Sequence, residues 1–329
     1  MKSAIEKAPL GRCGLQLSRL GFGSTALGGL FHAVDEAEAL DAVDAAWEAG
    51  LRYFDTAPQY GGGVAEQRLG AALRKRDRSA YVISSKVGKL IRPLREGAEW
   101  NPSMFRNAPP HEIVYDYSHD GVLRSLEETL RRTGLDRIDI LLIHDVNRKY
   151  HGEDVMNRLQ EALSGACVAL RRLREEGVIR AFGPALNEVD ISLRFLREAD
   201  IDCIMLPQRW TLLDRSAGDV LLPLCKERGV GVMVAAPFAS GILATGPVAG
   251  AMYNYAPADA ETLDCVRQLK NQCENFMVPL AAAAVQFPLQ HPAVASAVVG
   301  MRSRMDVERN VELMQQRVPA PLWHALAGA

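Results

Sequence analysis

Short apolar runs of four to seven residues recur along the chain in a steady rhythm, each followed by a longer amphipathic segment, and eight such units lie end to end. An apolar run without polar alternation reads as a strand covered on both faces, and apolar residues three and four apart read as a helix with one buried side. Parallel strands need connections of a dozen or more residues, so this alternation implies parallel strands joined by crossover helices. The strand candidates are 20–23, 53–56, 82–86, 138–144, 179–183, 203–206, 231–235 and 297–300. Helical spacing is clearest at 35–49, 121–134, 154–176 and 217–228. Gly50, Gly134, Gly177 and Gly229 stand where those helices and their neighbours should end, because glycine follows a last helical turn in the left-handed conformation without steric cost.

Two architectures satisfy that alternation, an open doubly wound sheet and a closed barrel. No G-x-G-x-x-G turn follows the first strand, so the usual phosphate-binding turn of an open dinucleotide sheet is missing. Polar residues gather instead at the carboxyl ends of many strands, where a barrel builds its active site. The expected fold is therefore an α/β (β/α)8 TIM barrel occupying 1–329 as one domain, a length such barrels reach when loops are added. Two connections are long for this fold: 92–118, with Trp100, Asn101, Pro102, Pro109 and Pro110, and 244–257, with Tyr253, Asn254 and Tyr255. Both are expected to cover the barrel mouth.

A formal net charge of -2 supplies no basic field, which argues against nucleic acid and for a small-molecule partner. The six cysteines form no C-x-x-C pair and no Cys/His cluster at zinc spacing, so buried thiols and no metal are expected. No apolar run has membrane length and the first residues lack a secretory apolar core, which makes the cytoplasm the expected compartment. The sequence leaves the oligomeric state open.

The second strand ends at Asp55 and leads through Thr56-Ala57-Pro58-Gln59 to Tyr60; the third ends at Lys86 and the fourth at His144-Asp145. In a barrel Asp55, Tyr60, Lys86 and His144 share one rim. A phenol ionises near roughly 10, so an ammonium beside it that stabilises phenolate is useful to a proton-transfer group. Lys86 fits that need, Asp55 can hold Lys86, and His144 can donate to a substrate oxygen. Any one of these residues alone would ordinarily be structural; their convergence carries the reading. His111, His119, His151, His291 and His324 form no ligand motif and are expected to be surface or structural residues.

In order and spacing, Asp55, Tyr60, Lys86 and His144 resemble the tetrad of the aldo-keto reductase superfamily, and the likeness spans nearly the whole chain. It includes Leu20-Gly21-Phe22-Gly23, Phe54-Asp55-Thr56-Ala57 with Tyr60-Gly61 and Glu66, and Ile83-Ser84-Ser85-Lys86. Tyr115-Asp116-Tyr117-Ser118-His119-Asp120-Gly121-Val122 and Ile143-His144-Asp145-Val146 with His151-Gly152 resemble the branch that holds L-fucose, D-threo-aldose and pyridoxal dehydrogenases. Arg209-Trp210-Thr211-Leu212-Leu213 and Tyr253-Asn254-Tyr255-Ala256-Pro257 do so too. The resemblance implies an NAD(P)-dependent oxidoreductase that oxidises the anomeric carbon of an aldose to a lactone, with Tyr60 as general acid/base. Oxidation of pyridoxal or reduction of a small aldehyde are the alternatives within the enzymes, and a cofactor-sensing binding subunit is the alternative outside them.

The same resemblance implies NAD or NADP as cofactor. Gly23, Ser24, Thr25 and Asp55 would lie at its nicotinamide end, Asn187 and Gln208 at the carboxamide, Ser240, Gly241 and Leu243 at the pyrophosphate, and Gly300, Arg302, Asp306 and Asn310 at the adenosine. The pattern departs from the family at several places. Gly183-Pro184-Ala185-Leu186-Asn187 has one residue more than the usual Gly-x-Ser-Asn, and Gln208 stands two rather than three positions before Trp210. Ala235 replaces a tyrosine that often stacks on the nicotinamide, which leaves Trp210 or Phe238 for that task. Arg302 suits a 2′-phosphate, whereas Asp306 stands where many NADP-dependent relatives carry a basic residue, so NAD and NADP both remain open.

Overall fold

In a computed structural model of the chain, which describes residues 5–100 and 104–327, each of the eight apolar runs forms a parallel strand. These are β1 (Leu20–Gly23), β2 (Tyr53–Asp55), β3 (Val82–Val87), β4 (Ile140–His144), β5 (Ala181–Ala185), β6 (Cys203–Pro207), β7 (Gly231–Ala235) and β8 (Val294–Gly300). They close in chain order, with β8 pairing back onto β1. Asn101 and Pro102 lie outside the described residues.

β5 begins two residues later than the apolar run suggests and runs through Pro184. A proline cannot donate to a ladder. It is tolerated here because β5 and β6 share one register pair, Met205 with Ala185. Gly183 explains the closeness of those strands: a Cβ there would stand 1.7 Å from Cys203 O.

Alternation along each strand decides which side chains enter the barrel. Tyr53, Val82, Ile140, Leu142, Cys203, Met205 and Met233 share an interior cluster, while Phe22, Phe54, Ile83, Leu141 and Ile143 pack outward with the helices. Leu10, Leu15 and Leu17 belong to the interior cluster as well. They come from an N-terminal hairpin, Lys7–Pro9 with Gln16–Ser18, that the sequence reading lacked; it closes the barrel floor, where a Cβ on Gly231 at the start of β7 would meet Leu10.

The helices obey their punctuation. Asp35 caps Glu36–Glu48, Ser118 caps His119–Thr133, and Gly50, Gly134, Gly177 and Gly229 have φ of 92°, 64°, 74° and 66°. The expected helix over 154–176 is broken into Val155–Glu161 and Cys167–Glu175 by a wide π turn, Ala162–Ala166. Gly165 marks the cause, since a Cβ there would lie 2.8 Å from Tyr117 O. The helix expected over 217–228 forms only as Leu221–Arg228, because Gly218 is pressed against Trp210, 2.6 Å from the position of a Cβ.

Both long connections form hairpins, Lys89–Pro93 with His111–Tyr115 and Met252–Tyr253 with Ala256–Pro257. Cys167, Cys203, Cys225 and Cys273 are buried free thiols, as expected, and Cys265 is exposed. No helix among the described residues is long and apolar enough to cross a membrane.

Candidate active site

Three strand ends meet at the barrel mouth because their alternation is in phase. Asp55 follows inward-facing Tyr53 on β2, Lys86 follows Val82 and Ser84 on β3, and His144 follows Ile140 and Leu142 on β4. A polar thread rises through the interior to join them. Tyr53 OH lies 3.0 Å from Ser84 Oγ, and Ser84 Oγ donates to Asp55 Oδ1 at 2.7 Å. Lys86 Nζ donates to both Asp55 oxygens, at 2.9 and 2.8 Å, and to Thr56 O at 2.9 Å. Asp55 is 3% and Lys86 2% exposed, so the pair is buried yet fully hydrogen-bonded, as a buried ion pair must be.

Tyr60 reaches the same point from the loop after β2. Gly61 has φ 66° and lies back to back with Gly28, where a Cβ would stand 2.7 Å from the Tyr60 carbonyl carbon. That contact, which only glycines permit, draws the 24–28 turn after β1 against the tyrosine. Lys86 Nζ lies 4.8 Å from the Tyr60 ring centroid, and the His144 ring meets Tyr60 edge-on at 6.2 Å. Phe105, from the long connection after β3, lies 6.2 Å from the same ring.

Burial pushes the Tyr60 phenol up to about 12, outweighing the downward pull of Lys86, which with Thr25 is hydrogen-bonded to it. The sequence suggested a phenol made acidic by Lys86; in the folded chain desolvation exceeds that pull, and the phenol is protonated at neutral pH. Burial also pulls the Lys86 ammonium down, but Asp55 and Tyr60 together hold it above the ordinary lysine value. For His144, burial lowers the pKa well below its ordinary value, leaving a neutral imidazole with one N–H.

Beside His144 stands a second, part-buried ion pair whose partners the sequence did not bring together. Lys89 Nζ donates to Asp145 Oδ2 at 2.5 Å and to Gln59 Oε1 at 2.6 Å, and sits 4.0 Å from the centroid of the Tyr150 ring. Tyr117 OH donates to His144 O at 2.8 Å and stands 3.0 Å from His151 Nε2, which gives His151 a structural place. The available signals were the adjacency of Asp145 to His144 and the position of Lys89 three residues after Lys86. Glu66 is buried outside the barrel, where it accepts from Ser85, Thr129 and Arg132 and ties two helices to β3.

The residues matched to a nicotinamide cofactor lie around this mouth. Gly23 ends β1 beside Gly300 of β8, and Ser24 Oγ is buried with no hydrogen-bond partner. Gln208 is buried in a left-handed turn after β6, φ 61°, and its Oε1 is likewise unpartnered. Buried polar atoms are seldom left unpaired, and two near one mouth fit a ligand bearing an amide and hydroxyls. Asn187 is half-buried, with its Oδ1 3.5 Å from Asn147 Nδ2 and its backbone oxygen accepting from Arg209 Nε at 2.7 Å.

Trp210 Nε1 donates to Pro288 O at 3.3 Å and its ring packs on Phe287 at 5.0 Å. Phe238 packs against two hydrophobic clusters. At the end of β7, where the sequence has no aromatic residue, stand the small residues Ala235 and Ala236. In the next loop Ser240 Oγ accepts from Tyr255 N at 3.1 Å. The Gly241 and Leu243 amides both donate to Phe238 O, at 3.0 and 3.2 Å, so they are engaged within the loop, and the Leu243 side chain is core. At the far end Arg302 N donates to Asp306 Oδ2 at 3.1 Å, with the guanidinium 3.7 Å from the same oxygen, and buried Asn310 donates to Asp306 O at 2.8 Å.

The profile of the aldo/keto reductase family matches residues 19–326. Pyridoxal 4-dehydrogenase of Microbacterium luteolum is 40% identical over 98% of this chain and 97% of its own length. D-threo-aldose 1-dehydrogenase of a Pseudomonas species is 39% identical over 96% of this chain and 95% of its own. Among solved structures, the holo form of an aldo-keto reductase from Bacillus halodurans has a TM-score of 0.78, with 28% identity, covering 98% of this chain and 96% of that one. With barrel topology, family profile and full-length relatives in agreement, this chain belongs to the aldo/keto reductase family and is a nicotinamide-dependent oxidoreductase.

Proposed function

We propose that the chain oxidises a cyclic hemiacetal to a lactone, with an aldose as first-ranked substrate, NAD as cofactor and Tyr60 as the proton-transfer group. The meeting of Tyr60, Lys86, Asp55 and His144 at one mouth carries this reading. When bound, oxidised nicotinamide supplies the hydride acceptor and a positive ring charge. Neutral His144 donates to the anomeric oxygen and holds it beside the phenol. Tyr60, acting from its phenolate form after releasing its own proton, takes the hydroxyl proton while the C1–H bond breaks with its electron pair and the carbonyl forms. Lys86 stabilises the phenolate, and Asp55 keeps Lys86 charged and aimed. The products are a lactone, reduced nicotinamide and one proton.

Hydroxyl-rich substrates are favoured by the polar groups on this side of the mouth, Asp145 beside His144 and, gathered around Lys89, Gln59 and Tyr150. The relative named for D-threo-aldoses supports the same ranking, and the one named for pyridoxal supports a second hemiacetal substrate. NAD is preferred over NADP because Asp306 engages Arg302 and adds negative charge where a 2′-phosphate would lie. The intact tetrad weighs against a binding subunit without turnover.

A panel of L-fucose, D-arabinose, L-galactose and pyridoxal, each with NAD+ and NADP+ and followed by absorbance of reduced nicotinamide, tests the proposal. Turnover of an aldose with NAD+ is expected. Pyridoxal with a far higher kcat/KM than any aldose reverses the ranking, and no turnover across the panel defeats it.

A further inference from the structure

We propose that Lys89 and Asp145 are a positioning pair that fixes the single proton of His144 on Nε2, the nitrogen offered to the substrate oxygen; this rests on the role just given to His144. A neutral imidazole has one N–H and one lone pair. His144 Nδ1 is buried without a partner, whereas Nε2 stands 3.4 Å from Asp145 Oδ2. The contact is electrostatic and out of line for a hydrogen bond: a carboxylate beside Nε2 repels a lone pair and attracts an N–H there, so it favours the tautomer with the proton on Nε2 and leaves that proton free for the substrate oxygen.

The backbone is shaped to bring that carboxylate back onto the ring. Asp145 N still makes a ladder bond to Ala185 O at 2.9 Å, but φ at Asp145 is 52°, a left-handed conformation uncommon outside glycine. Asn147 N then donates to Asp145 O at 2.8 Å and closes the reversal. Lys89 arrives from the other side, on the hairpin after β3, through Gly88 with φ 95°.

A carboxylate alone beside a buried imidazole would draw a second proton onto the ring. Lys89 cancels that charge and is itself held by Gln59 and the Tyr150 face. The other groups facing His144 are the Lys86 ammonium, itself paired with Asp55, and the protonated Tyr60 phenol. The pair therefore orients the imidazole without ionising it, and Nε2–H stays on the ring while it polarises the substrate oxygen. Neither residue needs to touch a reacting atom.

The test uses the whole chain without substrate. Long-range 1H–15N spectra distinguish the two ring nitrogens of each of the seven histidines, and His144→Gln identifies the signals of interest. In the native protein the His144 proton should sit on Nε2, and the ring should stay neutral throughout the neutral pH range. Lys89→Met should move its titration upward into that range. Asp145→Asn should leave the ring neutral but spread the proton between Nδ1 and Nε2, and Lys89→Met/Asp145→Asn should do the same. If Lys89→Met fails to fold, the double variant, which buries no unpaired charge, decides alone. With any substrate the enzyme turns over, Asp145→Asn should lower kcat by about tenfold or more with cofactor KM unchanged.

A native proton on Nδ1, or an Nε2 proton that persists unchanged in Asp145→Asn and the double variant, overturns the proposal. Failure to find a substrate would count against the hemiacetal reading and leave these spectra decisive for the pair.

Discussion

The two sides of the barrel mouth are built from different side chains. Asp55, Lys86 and His144 stand at the ends of β2, β3 and β4, whereas β5, β6, β7 and β8 end in Ala185, Pro207, Ala235 and Gly300. The charged side holds two ion pairs on buried lysines, Lys86–Asp55 at 2.8 Å and Lys89–Asp145 at 2.5 Å, each locked by further hydrogen bonds. The neutral side offers small residues and the unpartnered Oε1 of Gln208, with Ser24 Oγ at the border after β1. Proton transfer needs fixed charges that cost nothing to reorganise, and holding a flat ring needs space and waiting hydrogen bonds. Substitutions on the charged side should therefore act on kcat and its pH dependence, and those on the neutral side on cofactor affinity and choice.

The largest effect is expected at Tyr60. Tyr60→Phe removes the proton acceptor with little change in packing, so kcat should fall by about 10²–10⁴-fold. Cofactor Kd, measured by fluorescence titration, should stay within about twofold. An equal loss of cofactor affinity would erase the division between the two sides. The native pH profile is the next test. With the free-chain phenol pushed up to about 12, the base form is scarce at neutrality, so kcat/KM for oxidation should rise with pH through the neutral range. Aldehyde reduction needs the protonated phenol and should not rise with it. A flat oxidation profile would remove Tyr60 from the proton-transfer step.

How far the sequence disclosed this division depends on what kind of signal placed each residue. Asp55, Lys86 and His144 were legible because strand ends follow chain order and share one rim, and in the fold Tyr53 and Asp55, Ser84 and Lys86, and Leu142 and His144 keep one inward phase; Tyr60, on a loop, was legible only through its spacing from Asp55 and the family resemblance. Lys89 and Asp145 obey neither rule. Lys89 lies beyond the end of β3 on a hairpin strand, and Asp145 reaches His144 only through its left-handed backbone. Backbone reversals leave little trace when the residue is not glycine. Close approaches such as Gly183 to Cys203 O and Gly165 to Tyr117 O were hidden for a related reason, since a glycine records that something is near without naming it. The N-terminal hairpin was missed because strands of three residues are too short to show a period.

A smaller effect, confined to selectivity, is expected at the adenosine end. Asp306→Arg replaces the carboxylate that engages Arg302 with a second cation near the same place. A charge-assisted hydrogen bond to a 2′-phosphate contributes about 1.5 kcal/mol or more, so the ratio of kcat/KM for NADP over NAD should rise about tenfold. Helix 304–315 keeps its Ser303 cap, which bonds the backbone N–H of position 306 and not its side chain. An unchanged ratio, with Tm preserved, would place the adenosine away from Asp306.

The smallest effect is the one that most directly separates holding a ligand from holding the fold. Ser24 Oγ is buried and unpartnered in the free chain, so it costs desolvation and returns no hydrogen bond until something binds. Ser24→Ala should leave Tm unchanged or raise it slightly, because no native contact is lost. If the hydroxyl serves the cofactor, the same substitution should raise cofactor Kd by about fivefold, the equivalent of one net hydrogen bond of about 1 kcal/mol. A lower Tm with unchanged Kd would make Ser24 part of the barrel's own packing and leave Gln208 as the orphaned contact available to the ring.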